Sequence, residues 1–252
     1  ANGDAIGLAS KIFNNEDFGY FKVTVERPDR RKAQFSAERI EPLRFDKSLS
    51  EAMEYCYNEY QEKVYQAGFL AEHGKHITDW CEKNDISLNN KAKEKLLDTA
   101  FWLSSRKLLD AAQTLMEVVG EAEFTDFNLF KDNVDAALKA SSLKLSAPEK
   151  NAILNAVSWY DETAEKVVKK VVKLSADKLA ELLELYSCEE ADLSDFGYYP
   201  QGKKGEFVTY ESSSDLRDTE SVPLKQSIYQ YFLDEVKPHV AEAWLNMESV
   251  KI

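Results

Sequence analysis

The residues with the widest chemical range in this chain are His73-Gly-Lys-His76, with Cys81 after them and Cys56 before them. Imidazole and thiolate are natural zinc ligands, and a metal enzyme would be built on such a group. The spacing is poor for zinc, however, and Cys56 falls within an apolar helical stripe, so the plainer reading is a helix junction with a packed core cysteine. Gly202-Lys-Lys-Gly205 has the composition of a phosphate cradle, but no helix pattern opens after it, which favours a hairpin turn. Asp161-Glu162 and Glu189-Glu190 are paired carboxylates with no histidine beside them and read as solvated surface. His239, after Pro238, sits near a helix end, where a cation suits the dipole. Trp80, Trp102, Trp159 and Trp244 offer faces on which single-stranded bases could stack; without basic neighbours, on helical faces, they read as core.

Two arginines carry a sharper alternative. Arg27 stands beside Glu26 and Arg217 beside Asp218. Each pair is either a local salt bridge and turn lock or an anchor to a further domain, with the local reading the plainer.

Composition limits what these groups can do. The 252 residues hold 32 basic and 45 acidic side chains, a net charge of −13, the wrong sign for a surface that neutralises phosphates. Three widely spaced cysteines argue against a disulfide framework and for a reducing compartment, with the cytoplasm as the expected location. No apolar run approaches the ~20 residues that span a bilayer, so no membrane role is expected. The N-terminus, with Asn2, Asp4 and no basic region, is not expected to be a signal peptide.

The elements that must position these residues follow from periodicity. Asp17 to Pro28 alternates, with Phe21, Val23 and Val25 on one side and Tyr20, Lys22, Thr24 and Glu26 on the other, and Pro28 ends the strand. Ser36 to Phe45 reads as a turn-rich connector. Ser48-Leu-Ser-Glu51 has the form of a capping box for a long helix with Leu49, Met53, Cys56, Tyr60, Val64 and Ala67 on one face and a stop at Gly68 or Gly74. A shorter helix covers about Ile77 to Asn84. Asn89 or Asn90 caps a second long helix with Leu96, Ala100, Leu103, Leu108, Ala112, Leu115 and Val119, ending at Gly120. The two long helices suggest an antiparallel hairpin. Further helices start near Asp126, at Ser146-Ala-Pro-Glu149 and at Ser175. Glu165 to Lys173 fits helix or strand, with strand slightly preferred. Asp195 to Asp218 reads as a hairpin or surface loop, and Pro223 as the opening of a last helix with Ile228, Phe232 and Val236 inward. The fold class expected is mainly α within α+β, with small β elements near the N-terminus and around residues 165–220.

Two of these segments have a family likeness. Ser10 to Pro28, read as SKIFNNEDFGYFKVTVERP, and Asp215 to Trp244, read as DLRDTESVPLKQSIYQYFLDEVKPHVAEAW, resemble in order two signatures of the modification (methylation) subunit of type I restriction-modification systems. Leu143 to Ala164 is similar to the same family's middle portion, whereas residues 45–125 match only loosely. The residues that carry the likeness are Phe18, Gly19, Tyr20, Glu26, Arg27 and Pro28 in the first segment, and Leu216, Arg217, Asp218, Pro223 and Leu224 in the second.

The resemblance implies a parent enzyme that transfers a methyl group from S-adenosylmethionine to the N6 of adenine in DNA. Its partners would be a specificity subunit, a second modification subunit and restriction subunits. A methyltransferase needs a glycine-rich turn after a strand for its cofactor, and the adenine-specific family an Asn/Asp-Pro-Pro-aromatic loop for the flipped base. Neither motif occurs in this sequence, and no two prolines are adjacent. The expectation is a C-terminal part without catalytic, cofactor or metal residues, inactive alone, that serves assembly with the specificity subunit. It divides into a strand-containing segment at 1–45, a long-helix region at 46–140 and a mixed region at 141–252. The alternative is a self-contained acidic interaction module or DNA mimic.

Overall fold

A computed structural model describes residues 18–252. The expected family segment from Ser10 to Asp17 lies outside the described residues. About half of the chain is helix and about a fifth strand, in several small sheets, which makes the fold mixed α+β. In chain order the elements begin with β1 (Tyr20–Glu26), β2 (Arg31–Ala33), α1 (Ala37–Ile40), α2 (Ser50–Tyr60), α3 (Phe69–Glu72), α4 (Gly74–Lys83), α5 (Asn90–Leu97), α6 (Thr99–Val119), α7 (Phe127–Ser141) and α8 (Ala147–Ala156). They continue with β3 (Ser158–Tyr160), β4 (Val168–Lys173), α9 (Ala176–Tyr186), β5 (Tyr199–Pro200), β6 (Glu206–Tyr210), β7 (Asp218–Pro223), α10 (Ile228–Tyr231) and β8 (Trp244–Lys251).

Two compact units result. One is Arg31–Ala164; the other joins the chain up to Arg30 with Glu165–Ile252. These boundaries differ from segments drawn along the chain because β1 pairs with strands roughly two hundred residues away. Within the second unit the ends of the excursion meet: Val167 N donates to Asp29 O at 2.9 Å, and Arg30 and Lys166 form a β-bridge.

The Arg31–Ala164 unit is helical around a core of Met53, Cys56, Val64, Leu70, Ile77, Leu96 and Trp102, all fully buried. Each large apolar side chain removed from water contributes about 1.5–3 kcal/mol. The connector expected at 36–45 is ordered as α1, with Ser36 Oγ accepting from Arg39 N, followed by a 3-10 turn over Glu41–Arg44. The Ser48 capping box does not form. Asp46 Oδ1 instead accepts from Ser48 N and Oγ, and α2 starts at Ser50 with no side-chain cap. That helix is also shorter than its stripe, because Gln61 at φ 52° breaks it; Val64 stays buried on a 3-10 turn and Ala67 is exposed.

The second long helix is two. Asp98 is extended at φ −91° and ψ 111°; its N–H closes α5 on Lys95 O while its carboxylate accepts from Ala100 N and caps α6. The restart rephases the apolar face, which brings Trp102 and Leu109 inward and leaves Leu103 exposed. Trp102 Nε1 donates to Leu96 O at 2.8 Å, which satisfies the indole inside the core. Gly120 ends α6 at φ 86° as expected, Asp126 caps α7, and Ser146 and Glu149 form the expected capping box of α8. The pairing of β2 with β3, Arg31 opposite Tyr160, was not anticipated, since three residues are too few to show a period.

The other unit holds two three-stranded antiparallel sheets, in orders β7-β1-β8 and β4-β6-β5. Val23 and Val25 of β1 point inward as their alternation predicts and pack with Val222, Phe232, Val236 and Leu245. Glu165 to Lys173 resolves as strand from Val168. The expected role of Pro223 is corrected: it is the last residue of β7, and the helix starts at Ile228 under a Ser227 cap. Phe232 and Val236 do face inward, but on a π turn over Phe232–Val236.

Candidate functional site

The segments around Glu26 and Arg217 meet through adjacent strands. β1 and β7 pair antiparallel with Tyr20 opposite Pro223, Phe21 opposite Val222 and Val25 opposite Asp218. At the N-terminal end of β1, Leu224 N donates to Gly19 O at 3.2 Å; beyond its other end, Ser213 N donates to Arg27 O at 2.9 Å. Pro28 is buried and bridges Ser212.

Glu26 is the chemical centre of this seam. Its carboxylate is buried, accepts from Arg217 Nε at 2.9 Å and from Asn246 Nδ2 at 3.3 Å, and so ties β1 to the chain entering β7 and to β8. Arg217 also donates from Nη2 to Ser212 Oγ at 3.2 Å. Neither arginine pairs with the carboxylate next to it in sequence. Asp218 Oδ1 accepts from Thr219 N, while Arg27 Nε is buried and has no hydrogen-bond partner among the described residues. Phe18 and Tyr20 are exposed, Pro223 is exposed, and Leu216 and Leu224 are half-buried. Neighbouring side chains on one strand diverge, whereas side chains near a cross-strand pair converge, and that favours Glu26–Arg217 over the local pairs.

The other candidates separate. His73 Nδ1 meets Phe69 O at 2.9 Å and His76 Nδ1 meets Tyr60 Oη at 2.9 Å, while Cys56 and Cys81 lie in the apolar core. Burial, then the neighbouring Cys81, pushes the Cys56 thiol up to about 12, so it is neutral at physiological pH. Among the described residues no three His, Cys, Asp or Glu side chains converge as a metal site would need. Asp161 departs from the expected solvated role. Its carboxylate accepts from Thr163 Oγ1 and N and pairs with Lys32 at 3.1 Å, which holds it down at about 2. Glu162, Glu189, Glu190 and His239 are exposed. Trp102 and Trp244 are buried; Trp80 stacks on Tyr55 with centroids 3.7 Å apart, and Arg39 lies 4.0 Å over Trp159.

Gly202 to Gly205 is the hairpin turn joining β5 to β6, with Gln201 N donating to Glu206 O at 3.0 Å. A Cβ at Gly205 would stand 2.7 Å from Leu174 O, so backbone packing accounts for this glycine.

Two ionic clusters in the same unit escape sequence reading. Asp195 is buried, pairs with Lys237 at 2.6 Å and accepts from Tyr229 Oη at 3.0 Å; burial and then Asp195 raise the Tyr229 phenol. Glu242 accepts a bidentate pair from Arg30, at 2.7 and 2.9 Å, and holds Lys166 at 2.8 Å. Burial pushes Glu242 upward, but Arg30 and Lys166 outweigh it and hold the carboxyl below its usual range. The partners are separated by tens to hundreds of positions and no local pattern links them.

Among the described residues no helix is long and apolar enough to cross a membrane. The arrangement defines a mixed α+β protein in which the buried carboxylates of Glu26 and Asp195 are each held by a cation distant in sequence. No protein-family model, curated protein or solved structure matches this chain.

Proposed function

We propose that this chain is the non-catalytic C-terminal part of the modification subunit of a type I restriction-modification enzyme, and that it serves assembly with the specificity subunit. In the whole subunit an upstream domain would bind S-adenosylmethionine and methylate adenine N6. A second modification subunit and the restriction subunits would complete the complex, in the cytoplasm. The observation that supports the reading most directly is the seam: the residues carrying the resemblance lie at two distant places in the sequence, yet fall on or beside the paired strands β1 and β7, which Glu26 and Arg217 join. Motifs that build one sheet together have a physical reason to occur together.

In this reading α6 and α7, joined by a short connection, form the antiparallel pair that packs against helices of the specificity subunit. The test is capture of the specificity subunit by the intact modification subunit and by one lacking residues 46–252. A second variant replaces Arg31–Ala164 with a short Gly-Ser linker, since Asp29 and Val167 are already hydrogen-bonded neighbours. Loss of capture in both variants is expected; capture unchanged by removal of Arg31–Ala164 refutes the role given to the helices.

A further inference from the structure

Within the Arg31–Ala164 unit, α2 and α4 border a groove of about 460 Å³. Glu51, Glu54, Tyr55 and Asn58 line it from α2, where steps of three and four residues place them on one helical face. Trp80 lines it from α4, and Asn84 from the residue that ends that helix. The Tyr55 and Trp80 rings are half-buried and stacked, with centroids 3.7 Å apart and planes 6° from parallel, while the two glutamates and two asparagines are exposed. The stack is held in place: Tyr55 Oη lies 3.5 Å from His76 Nδ1, and Asn84 Nδ2 donates to Trp80 O at 2.8 Å.

Packing explains the rings, since both lie against the core that contains Met53, Cys56 and Cys81. It does not explain the charge. α2 carries Glu51, Glu54 and Glu59 and no basic residue, and Glu51 and Glu54 make no ion pair among the described residues. The lysines of α4, Lys75 and Lys83, do not line the groove. Two uncompensated carboxylates one helical turn apart thus share a concavity with an indole and a phenol ring, a combination that attracts an organic cation. A hard metal ion suits it poorly, because such ions need several converging oxygens and no three His, Cys, Asp or Glu side chains converge among the described residues.

We propose that the α2–α4 groove binds an aliphatic polyamine. Its ammonium groups meet the Glu51 and Glu54 carboxylates, and its methylenes lie against Tyr55 and Trp80, where a cation also gains from the ring quadrupole. The volume is that of a small-ligand site. The rim is charged, whereas the centre of a protein–protein interface is depleted in charge, which favours a small cation over a protein partner. The inference stands independently of the proposed function.

The experiment is calorimetric titration of the 252-residue chain with spermidine, beside the indole N–H resonances of its four tryptophans in nitrogen-labelled protein. Binding with a Kd below about 1 mM is expected, with the largest resonance shift at Trp80. Glu51→Gln/Glu54→Gln should weaken binding about 10-fold or more, and Trp80→Leu about 3- to 10-fold. Glu117→Gln/Glu181→Gln, the same charge change at exposed positions elsewhere, should bind as the wild type does. Thermal unfolding checks that the variants fold; because Glu51 and Glu54 are exposed, their variant decides the question even where Trp80→Leu does not fold. No binding by the wild type, equal loss in the two glutamine variants, or a largest shift at another tryptophan overturns the proposal. So does magnesium that binds as tightly with the same dependence on Glu51 and Glu54, or a lysine-containing peptide that binds there more tightly than spermidine.

Discussion

Arg217 Nε stands 2.9 Å from Glu26 Oε2, a pair formed across 191 positions of sequence between the end of β1 and the residue that leads into β7. The two ends are unequal. The Glu26 side chain is 5% exposed and that of Arg217 47%, so deleting the arginine strands a buried carboxylate whose remaining side-chain donor is Asn246, while neutralising the acid frees an arginine that water can solvate. Arg217→Ala is expected to cost about 1–3 kcal/mol, below the full penalty for breaking a buried pair because Arg217 is half-exposed. Glu26→Gln should cost less, and the double variant less than the sum. Urea unfolding in a double-mutant cycle measures this; additive single effects would show that the two side chains do not interact.

Gly205 and Gly202 share a hairpin turn and a positive φ, at 76° and 80°, but differ in surroundings. A Cβ at Gly205 would meet Leu174 O at 2.7 Å, whereas nothing lies within 4 Å of one at Gly202. Gly202→Ala should therefore cost only the backbone strain, about 1 kcal/mol. Gly205→Ala must also displace the Leu174 carbonyl and should lose at least twice as much. Thermal unfolding of the two variants, with equal losses counting against the close approach, decides it.

The cysteines differ in reactivity for a stated reason. Burial pushes Cys56 up to about 12 and raises Cys81 and Cys188 as well, but Cys188 alone of the three is half-exposed. A thiol reagent at mildly alkaline pH should modify Cys188 in the folded chain and reach Cys56 and Cys81 only on unfolding. Peptide mass spectrometry of the modified protein reads the order directly.

Asp161 makes stability depend on acid. Its hydrogen bonds from Thr163, then the pairing with Lys32, hold its pKa at about 2, below the unfolded value of about 3.9. A depressed carboxylate contributes stability that is fully present above the unfolded pKa and lost as pH falls through the folded one. The melting-temperature gap between wild type and Asp161→Asn is expected to be steady down to pH about 4 and to close between about 4 and 2. A gap that survives below that window would mean that packing, and not charge, carries the difference.

Local chemistry was legible in the sequence wherever it is settled by neighbours in the chain. The alternation of Phe21, Val23 and Val25 specified the inward face of β1; Asp126, Ser146, Ser175 and Gly120 marked helix ends, because a cap uses a side chain and backbone within four residues. Where two local rules competed, packing chose. Asp98 could continue a helix or cap a new one, and its restart turned Leu103 outward and Trp102 inward. Pro223 could open a helix or close a strand, and pairing with Tyr20 made it close β7.

The partners of the charges were never in the local sequence. Glu26 has Arg27 beside it and pairs with Arg217; Glu242 gathers Arg30 and Lys166; Asp195 gathers Lys237 and Tyr229. The sequence by itself determined which stretches alternate and which turn. Only tertiary structure decided which charge meets which, because a buried carboxylate takes whichever cation the strand register brings to it, and register is set by the burial of Val23, Val25 and Val222 on the far side of the same sheet.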